Sequence, residues 1–291
     1  MSQSITVAQL RSVREGIELL SQQRFSKARP FLRMEPLTGD RTFVDQIAKG
    51  PKPKERGVRH GPTEHVELTH LRRAIYAKPF DLAAYVSPVD LRRILNDPTN
   101  AYAMTFSAGF GRLVDEIAWT AALGNSFGGV DGTDLIAFDA ANFAILAGGE
   151  GLTVDKVLTS KEKLDAAENE MNGMNPYMAA ASAHQMKQLL QTTEFGSYDY
   201  NSIKAIVDAN VEGLSWGGFR WIRSEQLPKV GNDRQCVFWA KNSLALGIQA
   251  EYQLKIEQDM NHNYEWQVWT SADYGAARVD ETGIVRVDCQ E

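Results

Sequence analysis

The chain has 291 residues, 43% of them apolar and 23% charged, with a net charge of −6. That length and balance suit a sizeable core in one large domain or two lobes and exclude wholesale disorder. No apolar run nears the ~18 residues that a membrane-spanning helix needs, and Met1-Ser2-Gln3-Ser4 lacks the basic start and apolar stretch of a secretory signal.

The charge is unevenly placed. Residues 1–80 hold 15 Lys/Arg against 8 Asp/Glu, a net +7, and the remainder holds 16 against 29, a net −13. A basic segment points to nucleic acid or to an acidic surface, and here the chain itself supplies an acidic surface to which another copy could be drawn. Cys236 and Cys289 lie far apart without metal-type spacing and read as reduced thiols of a cytosolic compartment.

In chain order, Val7, Leu10, Val13, Ile17 and Leu20 predict an amphipathic helix over residues 5–24. Pro30 and Pro36 then favour an extended path, so the N-terminal part reads as an arm, with a first core helix as the alternative. Residues 41–48 and 66–76 are two candidate strands, the second with an imperfect period of two through Val66, Leu68 and His70. Between them, Lys49 to Pro62 is too rich in Gly, Pro and charge for a core and reads as the exposed tip of a long hairpin. Such a hairpin has little of its own to bury, and a second molecule beneath it would explain it.

The strongest helix starts at Asp97-Pro98, with Asp97 as N-cap and Pro98 in the first turn. Tyr102, Phe106, Phe110, Leu113, Val114, Ile117 and Ala121 recur at helical spacing up to Gly124. Gly109 and Gly111 weaken its middle by roughly 1 kcal/mol each relative to Ala and suit the close approach of another element. After a Gly/Ala-rich stretch, Thr153 caps a helix expected to run to about Asn172, with Val154, Val157, Leu158, Leu164 and Met171 as its stripe. Tyr177 to Ala181 and the capping-box pair Ser182 and Gln185 predict a strand and a short helix in a small α/β lobe. The last third is strand-rich. Phe219 and Trp221 share one strand, residues 237–248 contain another, and Tyr252, Leu254 and Ile256 alternate with charged neighbours. Asn261-His262-Asn263 and Asp280 to Gly283 are turns, and Val285, Val287 and Cys289 close the chain in alternation.

No catalytic constellation emerges. His60, His65 and His70 are spaced by five, which fits neither one helix face nor one strand face. Asp115-Glu116 and Asp165 with Glu168 read as ordinary helix carboxylates. The Gly-x-Ser-x-Gly pattern occurs at Ser126 and Ser215, but neither has the strand-before, helix-after context of a nucleophile elbow, and both read as loop residues. Gly109-Phe110-Gly111 meets Val114 where a dinucleotide fingerprint needs a third Gly. Trp216, Trp221, Trp239, Trp266 and Trp269 read as core or interface. The basic tip lacks the aromatics that stack on bases, so protein–protein contact is the better reading for it.

Several stretches, in this order, resemble one known family. They are His70-Leu71-Arg72-Arg73 leading to Phe80-Asp81-Leu82-Ala83, Asp97-Pro98-Thr99-Asn100-Ala101-Tyr102-Ala103, Gly111-Arg112-Leu113-Val114-Asp115-Glu116, Gly151-Leu152-Thr153-Val154, Trp239-Ala240-Lys241, and Tyr274-Gly275-Ala276-Ala277-Arg278 followed by Val285 to Cys289. From about residue 40 to its end the chain resembles the major capsid proteins of tailed bacteriophages, with the Hong Kong 97-type fold. The resemblance implies an α+β chain with an N-arm (1–40), an extended loop (41–78), a peripheral domain (79–175) with a spine helix at 97–124, an axial domain (176–248), and closing strands of the peripheral domain (249–291).

It also implies a shell subunit that assembles as pentamers and hexamers in the host cytoplasm into an icosahedral head. The expected partners are other copies, a portal protein, in some heads a decoration protein, and double-stranded DNA touched nonspecifically, with no membrane, metal, cofactor or catalytic residue. Because the sequence begins almost at the arm helix, a separate scaffolding protein is expected. Lys52, Lys54, Arg56 and Arg59 are the candidate inter-subunit contacts, docking on an acidic surface of a neighbour. The alternatives are an encapsulin-like compartment and a soluble enzyme with an unrecognised site.

Overall fold

The computed structural model describes residues 22–50, 52, 53, 55, 57, 65–88, 99–169, 176–191 and 215–291. Most of the helix expected over 5–24, the Asp97-Pro98 cap and Met171-Asn172 lie outside these residues. Pro30 sits in the first turn of a short 3-10 segment, Arg29–Phe31, rather than in an extended path. Strand β1 (Arg33–Pro36) follows. β2 (Arg41–Ile47) and β3 (His70–Tyr76) then pair antiparallel from Arg41 opposite Tyr76 to Ile47 opposite His70. The expected hairpin is present, but strand pairing on its second arm begins at His70 rather than Val66. Beyond the strands one further bond joins the arms, from the Ala48 amide to the Thr69 carbonyl at 2.9 Å.

β4 (Lys78–Val86) leads towards the long helix α1 (Thr99–Leu123), whose 25 residues span ~37 Å. Its last turn is completed by the Gly124 amide donating to the Thr120 carbonyl at 2.8 Å. Arg278, fully buried, donates to the otherwise unpaired carbonyls of Ala122 and Gly124 at 3.1 and 2.7 Å and to Ile136 at 3.1 Å. Its charge is matched by Glu281 at 2.6 Å. Of the two mid-helix glycines only Gly111 meets a neighbour. A Cβ there would lie 3.0 Å from backbone atoms of Arg24, Phe25 and Ser26, whereas one at Gly109 would meet nothing within 4 Å.

Short strands β5 (Ser126–Gly128) and β6 (Asp134–Ile136), a four-residue helix α2 (Ala140–Phe143) and β7 (Ala144–Ile145) fill the Gly/Ala-rich stretch. Helix α3 (Val154–Ala166) starts as expected, with the Thr153 hydroxyl accepting from the Lys156 amide. It stops six residues before Asn172. Glu168 turns left-handed at φ 56°, its amide bonds the Asp165 carbonyl, and the Asn169 amide bonds that of Leu164. This is a Schellman ending with Glu where Gly is usual, so the sequence carries no glycine to announce it. The buried face of α3 is also rotated from the expected stripe. Lys156, Val157, Ser160 and Leu164 face inward, and Leu158 is 54% exposed. Lys156 is accommodated because its ammonium donates to the carbonyls of Ala147, Glu150, Gly151 and Asp288 at 2.9–3.2 Å.

β8 (Tyr177–Ala181) and helix α4 (Ala183–Gln191) come next, followed by β9 (Ser215–Trp216), β10 (Phe219–Arg223), β11 (Lys229–Val230) and β12 (Asp233–Ala240). β13 (Leu244–Asp259) and β14 (Glu265–Arg278) form a hairpin of ~50 Å, and β15 (Ile284–Gln290) closes the chain.

The strands make three sheets. One runs β1-β13-β14-β4, one β7-β15-β12-β8-β10-β9 with β11 on β12, and one β2-β3-β5-β6. The second sheet holds the main core. β8 is buried at every residue because it lies between β10 and β12, covered on both faces, which is why its sequence shows no alternation. Trp119 of α1 meets Trp239 edge to face at 5.2 Å and donates its indole N–H to Ser224 at 3.1 Å, and Phe238 packs edge-on to Phe219 and Trp221. Each such side chain contributes roughly 1.5–3 kcal/mol by leaving water. Cys236 and Cys289 are buried, free thiols on neighbouring strands, and the contact with Cys289, then burial, pushes the Cys236 thiol up.

Candidate functional site

The β2–β3 hairpin is fixed at its root, and several of its described outer residues are exposed. At the root, Arg72 pairs with Asp45 at 2.6 Å and lies over the Phe43 ring at 4.9 Å, while Arg41 donates to the Asp131 carbonyl at 2.6 Å. The strand register puts Ile47 opposite His70 at the outer end of the paired strands, and Val66 and Leu68 lie just before His70, outside them. There Ile47 is 59%, Val66 57% and Leu68 48% exposed. Of the four predicted contact residues, Lys52 is exposed beyond these residues, and Lys54, Arg56 and Arg59 lie outside the described residues. Lys49 turns back to bond the Ala167 carbonyl at the end of α3.

A groove of about 370 Å³ opens beside the C-terminal half of α1, close to the hairpin root. Tyr76, Phe80, Leu113, Ile117 and Tyr274 line it, and Glu116 and Lys78 stand exposed among its lining residues. Burial raises the Tyr274 phenol above its usual range. Ser126 also lines the groove. It is 2% exposed and its hydroxyl has no partner, an arrangement that costs free energy unless something fills the place. Gly275 lies under the groove because a Cβ there would fall 2.0 Å from the Tyr76 carbonyl, so the sheet and the hairpin root meet backbone to backbone.

The far end of the β13–β14 hairpin is the second projecting feature. The Asp259 carboxylate accepts from the Asn261 amide at 2.9 Å and the Tyr85 hydroxyl at 3.0 Å and meets His262 at 2.6 Å. Those bonds, the Asn261 amide foremost, hold it below the usual carboxylate range. Asn263 and Tyr264 take left-handed conformations to close the turn, as the Asn-His-Asn signal led one to expect.

The residues considered for chemistry are not brought together. Ser126 lies in β5 and Ser215 in β9, so both are strand rather than loop residues, and neither has a strand before and a helix after it. His65 and His70 are exposed and His60 lies outside the described residues, among which no group of three or more metal-ligating side chains occurs.

Asp115 has a different role that its neighbour Glu116 does not share. It is fully buried, and its carboxylate accepts from Gln23 and Ser26 side chains at 2.6 Å and from the Lys27 and Ala28 amides at 3.2 and 3.0 Å. One helix carboxylate therefore pins residues 23–28 across α1 where Gly111 makes room. The sequence held a signal for it, since Asp115 falls in the same helical row as Gly111 and Trp119, facing inward. Asp165 likewise accepts from the Tyr177 hydroxyl at 3.0 Å, and burial, then Asp165, pushes that phenol up.

No curated protein sequence matches the chain. Solved structures do match at low identity, and the likeness is one of fold. The capsid of Ralstonia phage GP4 superposes with a TM-score of 0.74 at 13% identity, covering 97% of this chain and 95% of that one. Mycobacterium phage Che8 gives 0.68 at 14% identity, with 96% of each chain covered. The cyanophage Pam1 capsid asymmetric unit gives 0.70 at 14% identity, with 98% and 97% covered. Since the family described as phage capsid protein matches residues 8–291, the chain belongs to the phage capsid proteins and is a major capsid protein of the Hong Kong 97-type fold.

Proposed function

We propose that the chain assembles as pentamers and hexamers into the icosahedral head enclosing phage double-stranded DNA, with assembly in the host cytoplasm. Residues 1–40 act as the N-arm and 41–78 as the extended loop. Residues 79–175 and 249–291 form the peripheral domain, and 176–248 form the axial domain around the fivefold and sixfold-like centres. A separate scaffolding protein sets the size of the shell, a portal protein occupies one vertex, and a decoration protein binds outside in heads that carry one. DNA is touched nonspecifically. The role needs no catalytic residue, cofactor or membrane contact.

The observation that carries this reading is the β2–β3 hairpin. Among the described residues its outer part exposes Ile47, Val66 and Leu68, with Lys52 exposed beyond them. A surface of that kind suits contact with another copy, and many modest contacts per subunit add up to a durable particle. Negative-stain microscopy of particles made with the scaffolding protein tests it. Closed shells with nuclease-protected DNA after packaging are expected, whereas empty shells that enclose a protein cargo instead would mark a compartment and not a virus head.

A further inference from the structure

The chain has two cysteines, and the fold brings them together. Cys236 in β12 stands opposite Val287 of β15, and Cys289 of β15 stands opposite Arg234. Each thiol is therefore the diagonal neighbour of the other on one face of the sheet. Both are fully buried and unlinked, and they meet directly in the core.

Diagonal neighbours on antiparallel strands lie ~7 Å apart in a regular ladder, and a disulfide needs Cα atoms roughly 4.4–6.8 Å apart. The right-handed twist of the sheet draws one of the two diagonals closer, so closure asks for only a small shift of one strand against the other. Arg234 lies on the same face, and its charge favours the Cys236 thiolate against the burial that disfavours it.

We infer that Cys236 and Cys289 form a redox modification site that a small peroxide closes to a disulfide within one subunit. The Sγ of Cys289, next to the exposed Gln290, attacks one peroxide oxygen. The O–O bond breaks, the sulfur becomes a sulfenic acid, and the other oxygen leaves as water with the thiol's proton. The Sγ of Cys236 then attacks that sulfur. The S–S bond forms, the S–O bond breaks, and the hydroxide leaves as water with the Cys236 proton. Two sulfurs are oxidised, and one peroxide is reduced to two waters.

The link ties β12 to β15 within the main sheet and constrains the unfolded chain over the segment between them. Thiolate is the reacting form, and the surroundings of Cys236 keep its thiol neutral, so closure is slow. Chains made in a reducing cytoplasm keep the pair open through assembly, and released particles acquire the link. That timing rests on the shell reading; the link itself does not.

Free subunits of the unaltered chain, treated with hydrogen peroxide, are denatured in iodoacetamide and digested without reduction. Mass spectrometry should show both thiols lost in step and a Cys236–Cys289 peptide pair two hydrogens lighter than its parts, the subunits staying monomeric on a non-reducing gel. Thiols that are recovered alkylated, oxidised separately to sulfinic acid, or joined between chains overturn the inference. The oxidised chain should melt several degrees higher and return to its starting midpoint on reduction. Cys289→Ala, compared with itself before and after peroxide, should show no such rise, which also controls for methionine oxidation. An equal rise in that variant overturns the stapling role. Particles taken from fresh lysate into alkylating buffer should carry open thiols, and the same particles after peroxide should carry the link. A link already closed in the fresh particles overturns the timing alone. Failure to form any particle removes the shell reading and leaves the peptide result to decide the site.

Discussion

At the scale of single residues, three buried charges organise the molecule. Asp115, Lys156 and Arg278 each satisfy several groups that would otherwise lie unpaired in the interior. Removing one partner of such an arrangement costs more than the bonds themselves are worth, because the groups left behind stay buried. Asp115→Ala should therefore destabilise the chain by about 3 kcal/mol in denaturant unfolding and open residues 22–28 to proteolysis. An unchanged midpoint would contradict the pinning role.

Glu291 makes a pH prediction. Its carboxylate bonds Arg234 at 2.9 Å and 3.1 Å and Lys229 at 2.7 Å, and these partners, Arg234 first, hold it well below its ordinary value of 4.5. A carboxylate with a depressed folded value stabilises above its unfolded value and loses that contribution as pH falls. Glu291→Gln should thus lower the melting temperature at neutral pH, and the gap from the unaltered chain should narrow as pH drops below about 4.5. A gap that stays constant would show that the carboxylate charge is not what matters.

At the scale of elements, α1 offers an internal control. Alanine is favoured over glycine by about 1 kcal/mol inside a helix, and Gly109 has open space where a Cβ would go. Gly109→Ala should stabilise by about 1 kcal/mol. Gly111→Ala should destabilise by about 1 kcal/mol or more, because the new methyl presses on the backbone of residues 24–26. Thermal unfolding of the two variants checks this, and equal shifts would sink it.

The same helix shows what was legible beforehand. Its period, its stop near Gly124 and the close approach at Gly111 were all carried by residue type and spacing. So were the β2–β3 hairpin, the Thr153 cap and the turn at Asn261 to Asn263. What escaped notice depends on contacts made far along the chain. The early end of α3 rests on a left-handed Glu168 and not on a glycine. Its rotated face rests on four distant carbonyls that satisfy Lys156. The split of residues 237–248 into the end of β12, a short 3-10 turn and the start of β13 does have a local signal, the polar triplet Lys241-Asn242-Ser243 between two apolar runs. On the hairpin, alternation alone suggested a half-buried strand at Val66 and Leu68, whereas in the structure both precede the paired strand and are about half exposed.

At the scale of the whole molecule, the split of +7 and −13 between residues 1–80 and the rest gives each copy a basic first segment and an acidic remainder. Reversing Lys52, Lys54, Arg56 and Arg59 to Glu should cut particle yield at low salt and flatten its dependence on ionic strength, because exposed charges act over about a Debye length of 10 Å at 0.1 M. Particle yield by sedimentation measures both, and an unchanged yield would count against electrostatic docking of the tip.

The central claim is that this chain is the repeating unit of a closed shell, and mass in solution tests it most directly. The purified chain, alone and with the proposed scaffolding protein, followed by light scattering across protein and salt concentrations, should pass from free subunits to one narrow population of megadalton particles. A monomer or dimer under every condition would contradict the account.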